Sequence, residues 1–301
     1  MSFVPLKKID IHVHMLSRVG IPGGPEGFTY VTPEQVLEIY DGIGVERGVV
    51  LPEIGLEATM DLTNNREIED IVRKYPDRFS WFCNIDPRQG KNAPDTDFSY
   101  FLDYYKGIGA RGVGELCCNL YFDDPLVLNL FRHCEKKQMP VIFHIGKKGN
   151  DYGLVDELGL PRLEKVLQMF PGLQFLGHSQ KFWAEISKDT DEKNRFGYPE
   201  GPVVPGGRVV ELMRKYPNLC GDLSARSGYN ALARDEAFAA EFLEEFSDRL
   251  YYGTDICCYE NRTDPMLRLA SLLDRLAETG KISYKTYEKV SRENAARLLG
   301  L

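Results

Sequence analysis

The chain has 301 residues, 43% hydrophobic and 27% charged, enough apolar material for a real core in one large domain or two small ones. Its formal net charge of -8 excludes a broad footprint on nucleic acid or an anionic membrane, because such surfaces need clustered Lys and Arg. A small anionic ligand stays open, since a pocket can be locally basic inside an acidic protein. Residues 1–8 lead into a strand-like segment without the apolar stretch of a signal peptide, and no apolar run nears the about 18 residues of a membrane span. The seven cysteines, with adjacent pairs at Cys117-Cys118 and Cys257-Cys258, read as reduced thiols of a cytoplasmic protein.

Short apolar runs alternate along the chain with amphipathic stretches. Strands are expected at 8–14, 47–52, 79–85, 111–116, 141–145, 174–178, 219–223 and 250–255, several of them rich in Val, Ile, Phe or Tyr as buried parallel strands are. Between the first two, a helix over 33–40 has Thr32 as N-cap, Pro33 at its first position and Gln35 to complete a capping box. Helical spacing continues at 67–75, 126–137, 163–170 and 208–216, each ended by a proline within a few residues. The stretch 179–206, which holds Lys181 and Trp183, reads as one long loop after the sixth strand, and a loop of that length is functional or disordered. Trp183 either covers a pocket or anchors this loop. Helices over 265–276 and through 293–299 close the chain.

Strands alternating with helices imply parallel pairing and right-handed crossovers. Eight such units predict an α/β protein with one domain over 1–301, a (β/α)8 TIM barrel. An open doubly wound sheet is the alternative, but no Gly-x-Gly-x-x-Gly follows the first strand.

Four of the five histidines, His12, His14, His144 and His178, fall at the C-terminal ends of expected strands, where barrel enzymes place their active sites. The fifth, His133, lies within a helix as a bystander. In the first strand, side chains alternate, so Asp10, His12 and His14 are expected to face the barrel interior while Ile9, Ile11 and Val13 pack on the helices. His144, His178 and Asp255 each end an apolar strand as a lone ionisable group. A buried carboxylate without a partner is costly, and a divalent metal shared by imidazoles and Asp255 satisfies the whole set. Such ligands suit zinc by default, with manganese, iron or nickel as alternatives. Glu115 ends the fourth strand and is expected to share a cavity with Arg111 and Val113, bridging to a second metal or orienting a histidine. A salt bridge to Arg111 is the competing role. Cys117 has the same parity and reads as a small buried hydrophobe.

His12-Val13-His14 on the first strand, His144 on the fifth, His178 on the sixth and Asp255 on the eighth resemble the amidohydrolase superfamily. The likeness is to its amidohydrolase-related branch, which holds aminocarboxymuconate-semialdehyde decarboxylase-like enzymes alongside hydrolases, and it extends to the closing Asn294-Ala295-Ala296-Arg297-Leu298. The resemblance implies His12, His14 and His144 as metal ligands and Asp255 as ligand or base. It implies His178 as ligand of a second ion or as acid/base. Branches with two ions often carry a carbamylated lysine on the fourth or fifth strand. Here Glu115 and His144 stand at those ends, and a glutamate there looks like the deoxyribonuclease-related branch, so one or two ions remain open.

The leading expectation is hydrolysis of an ester, lactone or amide by metal-activated water, with Asp255 moving the proton and His178 steadying the oxyanion. Non-oxidative decarboxylation of a small carboxylic acid is the alternative, with a nuclease or a non-catalytic barrel behind it. Arg88, Lys147, Lys181 and Arg226 follow strand ends and are expected to line the mouth and bind a small anionic substrate, Arg226 foremost. No membrane or long nucleic acid is expected as partner, and a homo-oligomer stays open.

Overall fold

The apolar runs become strands because each is buried on both faces, against the barrel interior on one side and helices on the other. The computed structural model describes residues 3–22 and 29–301. Its strands are β1 (Lys8–Val13), β2 (Val45–Val50), β3 (Phe79–Trp81), β4 (Val113–Leu116), β5 (Val141–Gly146), β6 (Leu154–Val155), β7 (Phe175–His178), β8 (Leu219–Asp222) and β9 (Leu250–Tyr251). Their pairings are all parallel, in two runs, β1-β2-β3 and β4-β5-β7-β8-β9. A parallel bridge from Cys83 to Val113 joins β3 to β4, and one from Val13 to Ile256 joins the last strand to the first. The Ile11 N–H reinforces that seam by donating to the Tyr252 carbonyl at 3.0 Å. The ring is a (β/α)8 barrel, with the short β6 outside it against the end of β5.

The helices return the chain between strands: α1 (Pro33–Ile43), α2 (Asn65–Lys74), α3 (Ser99–Gly107), α4 (Pro125–Lys137), α5 (Pro161–Met169), α6 (Gln180–Ala184), α7 (Arg208–Lys215), α8 (Ala225–Ala233), α9 (Glu236–Glu245), α10 (Arg268–Glu278), α11 (Tyr284–Glu288) and α12 (Asn294–Leu299). The Thr32–Gln35 capping box forms at the start of α1. Helices α3, α8 and α9 lack a sequence expectation. In α3 the exposed Tyr100, Phe101 and Tyr104 blur the apolar stripe, and α8 carries the weak helix formers Ser227 and Gly228 in its first turn.

Side-chain parity in two strands departs from simple alternation. Ile9 and Ile11 lie in the interior cluster with Val49, Leu51, Phe82 and Ile142, closed off by Ala295 and Leu299 of α12. Asp10 instead faces outward and accepts from Tyr40 Oη of α1 at 2.6 Å. The β1–β2 ladder shifts register between Asp10 and Val13, and beyond that shift His12 and His14 turn inward. Asp10 also accepts the His12 and Thr254 amides, both at 2.9 Å, and so pins the first strand to the last directly beneath the site. Burial lifts its carboxyl to about 6 against these donors. In β4 a second register shift, between Val113 and Leu116, puts Val113 among the outer apolar residues and Glu115 toward the interior. Gly114 allows it: φ is +134°, and a Cβ there would meet the Ile142 carbonyl oxygen at 2.4 Å.

The stretch 179–206 is shorter as a loop than its sequence suggests, because Ser179 caps α6 and a buried ion pair holds the turns that follow. Arg195 and Glu185, each 2% exposed, meet at 2.8 Å. Burial pushes the Glu185 carboxyl up to about 7, with Arg195 the main opposing influence. Glu185→Ala strands the guanidinium in the interior and is expected to cost about 3–5 kcal/mol in urea unfolding. A loss under about 1 kcal/mol would place the pair in the range of exposed surface bridges.

Candidate metal centre

The strand ends converge as the barrel requires, and each imidazole is oriented by a partner behind it. His14 Nδ1 lies 3.0 Å from the Leu51 carbonyl, which only accepts, so the proton sits on Nδ1 and Nε2 carries a lone pair. His12 Nδ1 donates to Asp222 Oδ2 at 2.7 Å, leaving its Nε2 in the same state. These two Nε2 atoms are 2.9 Å apart. Two carboxylates add further acceptors: Glu115 Oε2 at 3.5 and 3.4 Å, and Asp255 Oδ1 at 3.4 and 3.7 Å. Glu115 Oε1 turns the other way, 2.9 Å from His144 Nδ1 and 3.7 Å from His178 Nε2. His178 Nδ1 lies 3.0 Å from Ser224 Oγ, with Asp222 Oδ2 at 3.4 Å.

Converging lone pairs of this kind need positive charge. Burial pushes His12 down, but Asp222, Asp255 and Glu115 outweigh it and hold its imidazole well above the ordinary value. Burial likewise opposes ionisation of Glu115, yet His12, His14 and His144 hold it well below the carboxylate range. Burial and the His12 charge lower His178. The cavity thus draws a proton onto His12 to balance its carboxylates, and a divalent cation fits the same place and balances them better. His12, His14 and Glu115 form one group of candidate ligand atoms within 4.8 Å of each other, as do His12, His178 and Asp255. Asp255 and Ser179, just past strand ends, and Ala225, the first residue of α8, have positive φ (60°, 106° and 63°), backbone strain of the sort found at functional sites.

Two residues of this centre lacked a sequence assignment. Asp222, fully buried at the end of β8, stands behind both His12 and His178. Glu53, just past β2, lines the cavity, where burial first and Glu115 second push its carboxyl up to about 7 against the pull of His14. Both continue the inward parity of their strands, Cys220 to Asp222 and Leu51 to Glu53, and each is a lone acid after an apolar run. The signal that selected Asp255 applied to them equally.

The expected cations sit elsewhere. The cavity, of about 620 Å³, is lined by His14, Glu53, Glu115, His144, His178 and Asp255 together with apolar side chains and the polar Glu57, Thr59 and Asp61, and none of its described lining residues is Lys or Arg. Arg88 is held by Glu57 and Asp86, Lys181 by Asp151 at 2.7 Å and Arg226 by both oxygens of Asp264. Lys147 is exposed, over the Phe196 ring. None of these four is among the described lining residues, and carboxylates pair with three of them. Arg111 is exposed beside Gln138 and Gln174, away from the centre, so it makes no bridge to Glu115. Trp183 is buried and donates to the Asp222 carbonyl at 2.8 Å, the anchoring role. His133 bonds within its own helix, to the Asn129 carbonyl.

A barrel with such a donor set at the C-terminal ends of its strands defines a metal-dependent enzyme. The chain belongs to the amidohydrolase family, whose sequence profile matches residues 9–301. A search of curated proteins returns no match. Among solved structures, an uncharacterised TIM-barrel protein of Bordetella bronchiseptica aligns with a TM-score of 0.65 at 18% identity, covering 98% of this chain and 99% of that one. A dihydroxybenzoic acid decarboxylase of Polaromonas sp. JS666, with bound manganese and 2-nitroresorcinol, aligns at 0.59 and 15%, covering 98% and 97%. A probable 2-pyrone-4,6-dicarboxylic acid hydrolase of Acinetobacter baumannii, with citric acid bound, aligns at 0.54 and 14%, covering 98% and 100%. Among the described residues no helix is long and apolar enough to cross a membrane.

Asp222→Asn removes the charge that fixes His12 and is expected to weaken divalent-metal affinity about 10–100-fold, measured by competition with a chelator. Unchanged affinity in a folded variant would contradict the orienting role.

Proposed function

We propose that the protein is a metal-dependent carboxy-lyase that releases carbon dioxide from a small carboxylic acid without an oxidant. The observation that carries this reading is the cavity itself. Its walls include Ile21, Tyr30, Leu56, Ala58, Met60 and Tyr152, its floor is the imidazole–carboxylate set, and no lining Lys or Arg offers an anion a counter-charge among the described residues. A substrate carboxylate would therefore find its positive partner at the floor alone. The manganese-bound decarboxylase with the same fold supports the reading.

His12, His14, Asp255 and Glu115 would hold the cation, with His144 and His178 beside them, and when bound it would withdraw electron density from the substrate's carboxylate or a neighbouring oxygen. The apolar side chains of that wall would lower the polarity around the carboxylate, which favours loss of its charge as carbon dioxide. The electron pair left on carbon takes a proton. Asp255 is placed to deliver it: its side chain is 26% exposed and can be reprotonated from solvent, and Oδ2 faces His178 Nε2 at 3.7 Å. His178, tethered by Ser224, would steady the neighbouring oxygen.

Hydrolysis of an ester or lactone is a second reading, favoured by Glu115, whose two oxygens face two separate imidazole pairs as in sites that hold paired ions. Carbon dioxide release from hydroxybenzoate-type acids, measured on the metal-loaded protein beside ester and lactone turnover, separates the two. The proposal predicts release, lowered at least about 100-fold in Asp255→Asn while the cation is retained. Ester or lactone turnover without carbon dioxide would overturn it in favour of the second reading.

A further inference from the structure

We infer that Glu53 selects the substrate's second polar group: the acid held at the floor carries a hydroxyl or amino group that donates to Glu53, and a second carboxylate is refused. This rests on the carboxy-lyase reading and names the substrate class of the same cavity. More of the cavity lining comes from the stretch 53–61, which follows β2, than from any other segment. Its three carboxylates are not equivalent. Arg88 neutralises Glu57, with Nη1 and Nη2 on its two oxygens at 2.7 and 3.1 Å. Asp61 accepts the Ile21 amide at 2.6 Å, a bond that ties this stretch to the one after β1. Glu53 is 5% exposed, and its Oε1 accepts the Gly55 amide at 2.7 Å. Among the described residues neither Glu53 nor Asp61 forms an ion pair, unlike Glu57. Outside the described residues stand only 1–2 and 23–28, and none of these is Lys or Arg.

The backbone holds Glu53 in place. Its N–H donates to Thr63 Oγ1 at 2.5 Å, and its carbonyl accepts the Thr63 amide at 2.9 Å. Glycine is required at 55, because a Cβ there would lie 2.8 Å from Glu53 Oε1 and 2.9 Å from Cys117 Cβ. The amide of that glycine can therefore close on the carboxyl group and fix it. A buried carboxyl clamped in this way at the wall of a cavity is organised to accept before any ligand arrives.

The selection holds in either protonation state of Glu53. Ionised, the group only accepts; protonated, its carbonyl oxygen still accepts. A ligand hydroxyl or amino group can donate to it in both cases. A second ligand carboxylate meets like charge in the first case. In the second, two buried carboxyl groups must share a single proton, with no lining Lys or Arg to offset the remaining charge among the described residues. Asp61, farther along the same stretch, adds charge of the same sign to the lining. One carboxylate thus has a place, at the floor, and the second polar group of the substrate has to be a donor.

The test is calorimetric binding to the full chain loaded with manganese. The ligands are benzoate and benzoates bearing one hydroxyl, amino, methyl or second carboxylate group at each ring position. At one ring position the hydroxyl or amino acid is expected to bind at least about tenfold more tightly than its methyl counterpart. The dicarboxylate of that position is expected to bind at least about tenfold more weakly than benzoate. Glu53→Gln keeps an acceptor for the Gly55 amide and gives the side chain a donor. In this variant the dicarboxylate should gain at least about tenfold, with benzoate within about threefold of its native affinity. A side chain that served packing alone would not, on replacement, improve the binding of any ligand. Should the variant not fold, the ligand series on the native protein carries the test. Dicarboxylates that bind the native protein as well as the hydroxyl and amino acids, or a folded variant with unchanged preference, would overturn the inference and leave the carboxy-lyase reading standing. Failure of every acid to bind would overturn both.

Discussion

Two imidazole nitrogens, His12 Nε2 and His14 Nε2, face one another at 2.9 Å with their protons committed on the opposite side of each ring. Their other near neighbours, Glu115 and Asp255, are carboxylates. Four acceptors cannot satisfy each other, and burial removes water as a remedy. Positive charge has to enter, and every unusual feature of the neighbourhood follows from that need. Asp222 sits at the end of β8 to fix one ring, the Leu51 carbonyl fixes another, and Ser224 fixes a third.

The barrel supplies what the centre cannot supply for itself. Its candidate ligands come from β1, β4, β5, β7 and the segment after β9, scattered over the sequence yet brought to one rim by parallel strand pairing. The register shifts in β1 and β4 convert a packed apolar interior below into a polar floor above. Asp10, bonded to Tyr40 and Thr254, locks the first strand against the last at the level where that change occurs. The cost of carrying polar groups at the top of a barrel is offset by the filled cluster of Ile, Val, Leu and Phe beneath them.

Much of this was legible in the sequence. Strand positions, the barrel, and the convergence of His12, His14, His144, His178, Glu115 and Asp255 follow from short apolar runs that end in single ionisable residues. Asp222 and Glu53 met the same criterion, as Gly221-Asp222 and Pro52-Glu53 end their runs in an acid. Other features were not legible for physical reasons. Parity arguments assume an unbroken ladder, so the shifts near Asp10 and Gly114 inverted the faces of Ile9, Ile11, Asp10 and Val113. The roles of Arg88, Lys181 and Arg226 depended on Glu57, Asp151 and Asp264, acids that lie near them only after folding. Residues 23–28, beside the cavity-lining Ile21 and Pro22, lie outside the described residues.

The proposed chemistry requires that a cation, rather than a proton on His12, join these groups. Anomalous diffraction from crystals of the metal-loaded protein, collected across the absorption edge of the added metal, addresses it directly. A peak bonded to His12 Nε2 and His14 Nε2 at about 2.0–2.2 Å is expected, with a carboxylate oxygen at similar range. A map without a peak there, with His12 instead hydrogen-bonded to Glu115 or Asp255 as an imidazolium, would contradict it.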